Sequence, residues 1–287
     1  DRARQACRAR HCWSPYPEMP AKYPGAEEAQ AAGRNAFETQ LGQPGARRRF
    51  DLDQPGTVGW LGEEVSPYTQ QPLAIDYPQA DVDTLFEVAG RAMTAWAQAP
   101  IEQRLGVLME VLDVIYREHL FEVAHAVMHT AGQSYNMAYA GSGVNALDRG
   151  IEALVYAEQA MRAVTPSARW ERRFGPTEVR LDKTYRIVPR GVAVCFACAS
   201  FPTWNAWPSM MASLATGNAV IVKPHSNAVL PAAITVRTLR AVLTENGIDP
   251  NLVTLCVTDN RHTTQALATH PLVKSVDFTG SNVFGQW

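Results

Sequence analysis

Lys223 ends a continuous apolar run, Ala219-Val220-Ile221-Val222, and is followed at once by Pro224. A lone ammonium at the end of a buried strand is costly without a partner. Lys223 therefore either snorkels to solvent or has a ligand as its partner. A second such place is Asp277-Phe278-Thr279-Gly280-Ser281. Glycine after a strand lets the backbone approach a pyrophosphate, and the Ser281 hydroxyl can donate to a phosphate oxygen at a helix start.

Other spacings carry less. Cys195 and Cys198 form a C-x-x-C, the spacing of redox and zinc sites. They fall within a predicted buried strand, where cysteine serves as a small apolar residue. His125 and His129 lie one helical turn apart, but Ala126-Val127-Met128 between them offers no glutamate, and we assign no metal to them. Trp204 and Trp207 either line a substrate tunnel or pack.

The elements that position Lys223 and Ser281 are strands alternating with helices. Val192 to Ala199, Ala219 to Lys223 and Leu252 to Val257 are apolar or largely apolar runs, and Lys274 to Phe278 reads as a fourth strand. Helical stretches separate them: one with Met210, Met211 and Leu214, one opened by Pro231 and closed by Asn246-Gly247, and a short one around Gln265-Ala266-Leu267. This pattern means a parallel sheet buried on both faces, whose ligands bind at the carboxyl ends of the strands.

Upstream, Glu178 to Lys183 and Tyr185 to Val188 each alternate, which predicts an antiparallel ribbon with one apolar face. Before it come helices. One runs from Glu27 to Leu41. Another is capped by Asp81, with Leu85, Val88, Ala89, Ala92 and Trp96 on one face. A third carries Leu105, Leu108, Met109, Leu112 and Ile115 on one stripe and runs to Thr130, with Gly132 in the left-handed position after it. A fourth spans Val144 to Met161. Short extended pieces lie at Val58-Gly59-Trp60, Ser66 to Thr69 and Leu73 to Tyr77. The expected parts are an N-terminal extension (1–57), extended and helical segments (58–165), the ribbon (166–189) and the cofactor-binding part (190–287).

The 287 residues suffice for about two domains. The net charge of −2 argues against nucleic acid as the main partner, and the N-terminal arginines, interrupted by acidic residues, read as a solvated surface. No apolar run is long enough to span a bilayer. Five unevenly spread cysteines form no disulfide framework, so a reduced, cytoplasmic setting is expected.

Leu214-Ala215-Thr216-Gly217-Asn218 followed by Lys223-Pro224, and Phe278-Thr279-Gly280-Ser281 followed by Gly285, resemble the two cofactor fingerprints of the aldehyde dehydrogenase superfamily. Ala80 to Asp83, Trp96, Arg104 and Thr130 to Gln133 extend the resemblance from about Val58 to the end. More narrowly, Cys195 to Asn205, Lys223-Pro224-His225 and His11 to Pro17 resemble the phenylacetate-degradation (PaaN-type) branch. The resemblance implies an α/β fold with a Rossmann-like cofactor domain, an N-terminal helical segment and an oligomerisation ribbon, hence a homo-oligomer. It implies NAD(P)-dependent oxidation of a small-molecule aldehyde to an acid, the aldehyde in this branch being a CoA-linked semialdehyde from ring opening. Lys223 then serves the adenosine ribose, and Gly280, Ser281 and Gly285 the pyrophosphate.

Three departures qualify this. The family's oxyanion asparagine is replaced at its position by Ser200, a weaker preorganised donor, with Asn205 five residues on as a substitute if the turn is rearranged. The glutamate that grips the ribose 2′-hydroxyl in NAD-preferring members is replaced by Ser226, preceded by His225. Its loss forfeits roughly 1.5–3 kcal/mol for NAD and removes repulsion against a 2′-phosphate, so NADP is favoured over NAD. The family's nucleophilic cysteine and glutamate base lie well beyond the Phe-Thr-Gly-Ser motif, and only Asn282 to Trp287 follow it here. The chain, which begins at Asp1, is therefore expected to be a fragment that is inactive alone. The rival expectation is a non-catalytic nucleotide-binding or interaction module.

Overall fold

The computed structural model describes residues 1–43, 45–258 and 260–286. The N-terminal third holds α1 (Arg2–Ala9), α2 (Ala26–Gln40), and a small sheet of β1 (Arg48–Arg49), β2 (Thr57–Leu61) and β3 (Ile75–Ala80) in the order β1-β3-β2. The helices α3 (Val82–Trp96), α4 (Ile101–Val114), α5 (Leu120–Ala131), α6 (Tyr135–Tyr139) and α7 (Asn145–Arg162) follow. Asp81 caps α3, its carboxylate accepting from the Thr84 N–H at 2.9 Å. The buried face of α3 includes Leu85, Val88, Ala89, Ala92 and Trp96, the stripe read from the sequence. Gly132 takes the left-handed conformation (φ 74°) after α5.

The long helix expected to Thr130 differs in detail. A wider π turn at Ile115–His119 joins α4 to α5, and Met109, placed on the apolar stripe from its spacing, is 42% exposed. The buried face of α4 is instead Val107, Leu108, Val111 and Leu112. The short α6 and the π turn at Ala140–Val144 ahead of α7 were not anticipated. Their small, weakly periodic residues carry little helical signal.

The ribbon also differs from expectation. It consists of β4 (Ser167–Phe174) and β5 (Thr177–Thr184), paired antiparallel from Ser167↔Thr184 to Phe174↔Thr177. Gly175 turns the chain with φ 59°, a conformation open to glycine at little cost. Tyr185 to Val188, expected as one of its strands, continues past β5 outside any strand. The true partner is an arginine-rich stretch whose charge hides its alternation. Neither face of the ribbon is buried.

The second half is the parallel sheet. Its strands β6 (Val192–Phe196), β7 (Val220–Lys223), β8 (Val253–Leu255) and β9 (Val273–Phe278) lie in the order β8-β7-β6-β9, all parallel. Crossovers are made by α8 (Trp207–Ala215), α9 (Leu230–Glu245) and α10 (Arg261–Thr269), and α11 (Asn282–Gln286) follows β9. β6 stops at Phe196, short of the expected Ala199, because the chain turns towards Ser200 and Pro202. From β6 the chain steps outward to β7 and β8, then crosses to β9 on the other side of β6. That reversal is a switch point, and ligands of open α/β sheets bind at such points outside the strands' carboxyl ends. One hydrophobic cluster runs from Phe37 through α3–α9 and the sheet to Leu267. The Trp96 indole N–H donates to the Leu214 carbonyl at 2.8 Å, tying α3 to α8.

Candidate nucleotide site at the strand ends

The carboxyl ends of β7, β8 and β9 open onto a cavity of about 350 Å³ lined by Lys223, His225, Ser226, Thr258, Asn260, Arg261, Thr264, Ser281, Val283 and Phe284. Four residues singled out in the sequence therefore meet in one place: Lys223, His225, Ser226 and Ser281. Burial lowers the Lys223 ammonium below the usual lysine range. Among the described residues, no hydrogen-bond acceptor or carboxylate pairs with that ammonium. This is the costly state the sequence pointed to, now with a cavity in front of it. His225 is held below its ordinary value by burial and by Lys223, so its ring is neutral near pH 7. Its Nδ1 accepts from the Asn227 N–H at 3.2 Å.

Thr258, Asn260 and Arg261 were not anticipated. The signal was available, since they follow the third strand directly and the strand-end rule points there. Asn260 caps α10 by accepting from the Thr263 N–H at 2.7 Å. Arg261 adds a guanidinium to the same lining as Lys223. No carboxylate is found among the described residues that line the cavity.

Gly280 and Gly285 lie beside the cavity, not in its wall. A Cβ at Gly280 would fall 2.5 Å from the Phe278 ring, and one at Gly285 would fall 3.2 Å from it. Packing against Phe278 thus demands a small residue at Gly280 whatever ligand approaches. Ser281 hydrogen-bonds through its hydroxyl oxygen to the Phe284 N–H at 3.4 Å.

Ser200 and Asn205 sit apart from this cavity, beyond the end of β6, and both meet Cys198. The Asn205 amide donates to the Cys198 sulfur at 3.2 Å and to the Phe201 carbonyl at 3.3 Å. The Ser200 hydroxyl lies 3.6 Å from the same sulfur. The Gln133 side chain donates to the Ser200 carbonyl at 2.5 Å, fastening this turn to the loop after α5. With both amide hydrogens of Asn205 engaged, Ser200, whose side chain faces solvent, is the freer donor.

Cys198 lies past the strand that was expected to bury it. It remains buried at 8% exposure, but at the bend and not in the sheet. Cys195 is within β6, and burial pushes its thiol up to about 12. All five cysteines are free. His125 and His129 stack on Phe37 with ring centroids 5.9 and 4.8 Å away, and His129 Nδ1 shares a hydrogen bond with the Ser66 hydroxyl at 2.8 Å. No cluster of three metal-ligating residues occurs among the described residues. Trp207 is core, its N–H donating to Thr235, whereas Trp204 is 40% exposed and packs edge-on near Phe201. No described helix is long and apolar enough to cross a membrane.

The profile of the "Aldehyde dehydrogenase family" matches residues 62–287. An aldehyde dehydrogenase of Talaromyces stipitatus is 31% identical over 229 residues, covering 78% of this chain and 41% of that protein. An aldehyde dehydrogenase-like protein of Saccharomyces cerevisiae is 27% identical over 281 residues, covering 94% and 41%. The solved NAD-dependent aldehyde dehydrogenase from Burkholderia multivorans superposes with a TM-score of 0.93 at 43% identity, over all of this chain and 50% of that one. The chain thus spans about half the length of these relatives.

Proposed function

Because this chain belongs to the aldehyde dehydrogenase family, we propose that it is the cofactor-binding part of an NAD(P)-dependent dehydrogenase oxidising an aldehyde to a carboxylic acid. The observation that carries this reading is the half-buried Lys223 ammonium, without a hydrogen-bonding partner among the described residues, facing a cavity at the ends of three parallel strands. A dinucleotide fits the donors present. Lys223 donates to the adenosine ribose, Ser281 and the backbone around Gly280 and Gly285 serve the pyrophosphate, and Ser226 faces the 2′ position with His225 and Arg261. A dinucleotide held by these residues would supply the hydride acceptor for the oxidation. Ser200 is the chain's donor to the developing oxyanion, with Asn205 in reserve should it release Cys198.

The buried thiols of Cys195 and Cys256, both pushed up to about 12, are not nucleophiles near neutral pH. Neither thiol is among the residues that line the cavity. NADP is the favoured cofactor: Lys223 and Arg261 line the cavity, and a serine stands where a carboxylate would repel a 2′-phosphate. The resemblance to the phenylacetate branch supports a semialdehyde released by ring opening, CoA-linked, as substrate. The ribbon, exposed on both faces, supports a homo-oligomer assembled through it.

Titrating the chain with NADP and with NAD tests the reading. NADP should bind more tightly, and Lys223→Met should weaken both by roughly ten- to hundredfold, the worth of a charge-assisted hydrogen bond. Tighter binding of NAD would overturn the 2′-phosphate preference alone. Failure of both nucleotides to bind would overturn the cofactor reading.

A further inference from the structure

Glu64 lies outside the cavity, in the segment between β2 and β3, and is only 3% exposed. One carboxylate oxygen accepts from the Val229 N–H at 2.6 Å and the Leu230 N–H at 3.0 Å. The other accepts from the Tyr77 hydroxyl, and Tyr77 itself is fully buried. The two amides are those of Val229, just before α9, and of Leu230, its first residue, groups that a helix start leaves without internal partners. No side chain of α9's own sequence caps them. A carboxylate from 165 residues upstream does so and also complements the positive end of the helix dipole.

The segment fastened in this way matters because of what precedes it. His225 to Ala228 joins Lys223 to α9 and carries the two side chains that face the 2′ position. The turn is held internally by Ala228 N–H to the His225 carbonyl at 2.9 Å and by Asn227 N–H to His225 Nδ1. Its far end is anchored at Val229 and Leu230 by Glu64. Burial raises the Glu64 carboxyl to about 6 despite three hydrogen bonds that favour its charged form. The position thus costs desolvation, which a group serving only as packing would avoid.

We infer that Glu64 is a positioning residue for the cofactor's 2′ position: by clamping the start of α9 it fixes His225 and Ser226, and so sets the discrimination between a 2′-phosphate and a 2′-hydroxyl. This inference rests on the cofactor reading above.

The test is the ratio of NAD to NADP dissociation constants in the chain and its variants. Glu64→Ala removes all three acceptor contacts, and the ratio should move towards unity by about fivefold or more. Glu64→Gln keeps an acceptor oxygen for the two amides and should leave the ratio unchanged. Tyr77→Phe frees one carboxylate oxygen and should move the ratio in the same direction as Glu64→Ala, by about twofold. Gln54→Ala, which loosens β8 and not this turn, should lower stability with the ratio unchanged. Should Glu64→Ala not fold, Tyr77→Phe decides. An unchanged ratio in the deciding variant overturns the inference, as does an equal shift towards NADP in Glu64→Gln and Glu64→Ala, which would mark a charge effect. If wild type binds neither nucleotide, the cofactor reading has failed first and the inference falls with it.

Discussion

The parallel sheet has two edges, and the chain treats them oppositely. At β8 the backbone groups that point away from the sheet are all taken. The Gln54 side-chain amide donates to the Leu255 carbonyl and accepts from the Leu255 N–H, each at 2.8 Å. Arg240 donates to the Val253 carbonyl at 2.9 Å. At β9 no side chain hydrogen-bonds the backbone of residues 274–278 among the described residues, and Val276 is 49% exposed. An unpaired edge is a template for another strand. One edge is therefore sealed against pairing and the other is open to it. The sealing is done by side chains of other elements, Gln54 and Arg240, together with the Pro250 carbonyl, which accepts from the Val253 N–H.

The largest expected effect breaks the sealed edge at Arg240. Arg240 is 8% exposed, and its guanidinium also donates to the carbonyls of Asp53 and Pro250, each at 2.9 Å. It ties the N-terminal segment, α9 and β8 together at one point. Arg240→Ala leaves the carbonyls of Asp53 and Val253 without donors, while the Pro250 carbonyl keeps the Val253 N–H, and should cost roughly 3 kcal/mol or more in urea unfolding. Arg240→Lys should recover little, because one ammonium cannot span the fork. A loss under about 1 kcal/mol would mean that packing, not hydrogen bonding, seals the edge.

Gln54→Ala comes next. It strips both partners from Leu255, whose residue is fully buried, and should cost roughly 2 kcal/mol. Hydrogen exchange should speed up at the Leu255 amide while the amides of β6 stay protected. If the Leu255 amide remains as slow as in wild type, water or a neighbour has replaced Gln54 and the edge is not sealed by that side chain.

The contrast also explains how much was legible beforehand. β6, β7 and β8 were readable because burial on both faces writes itself as near-continuous apolar runs. β9 has no buried residue, against the expectation of a sheet buried on both faces, and was readable from its place in the alternation of strands and helices. Asp81 and Gly132 were readable because caps are local chemistry. Four of the cavity residues were found because their turns sit where the alternating pattern ends. Gln54, Glu64 and Arg240 were not readable, because what each does depends on a partner in a different element. A buried glutamine looks like any other until Leu255 is beside it, 201 residues away. The ribbon failed for the opposite reason. Tyr185 to Val188 alternates convincingly, but pairing is decided by the turn at Gly175, and the partner strand, with Arg169, Arg172 and Arg173, reads as solvated charge.

The smallest effect sharpens the contrast most. Valine and threonine are nearly the same shape, so one substitution placed on each edge asks only whether the site is dry. Val253→Thr on β8 puts a hydroxyl at a fully buried position, beside a strand whose neighbour Thr254 already has a buried hydroxyl without a partner. It should cost roughly 1–3 kcal/mol. Val276→Thr on β9 should stay within about 0.5 kcal/mol, since water reaches the new hydroxyl. Equal losses would mean that β9 is covered in solution. If the Val276→Thr loss then grew with protein concentration, a second copy of the chain would be what covers it, because only an intermolecular contact makes stability depend on concentration.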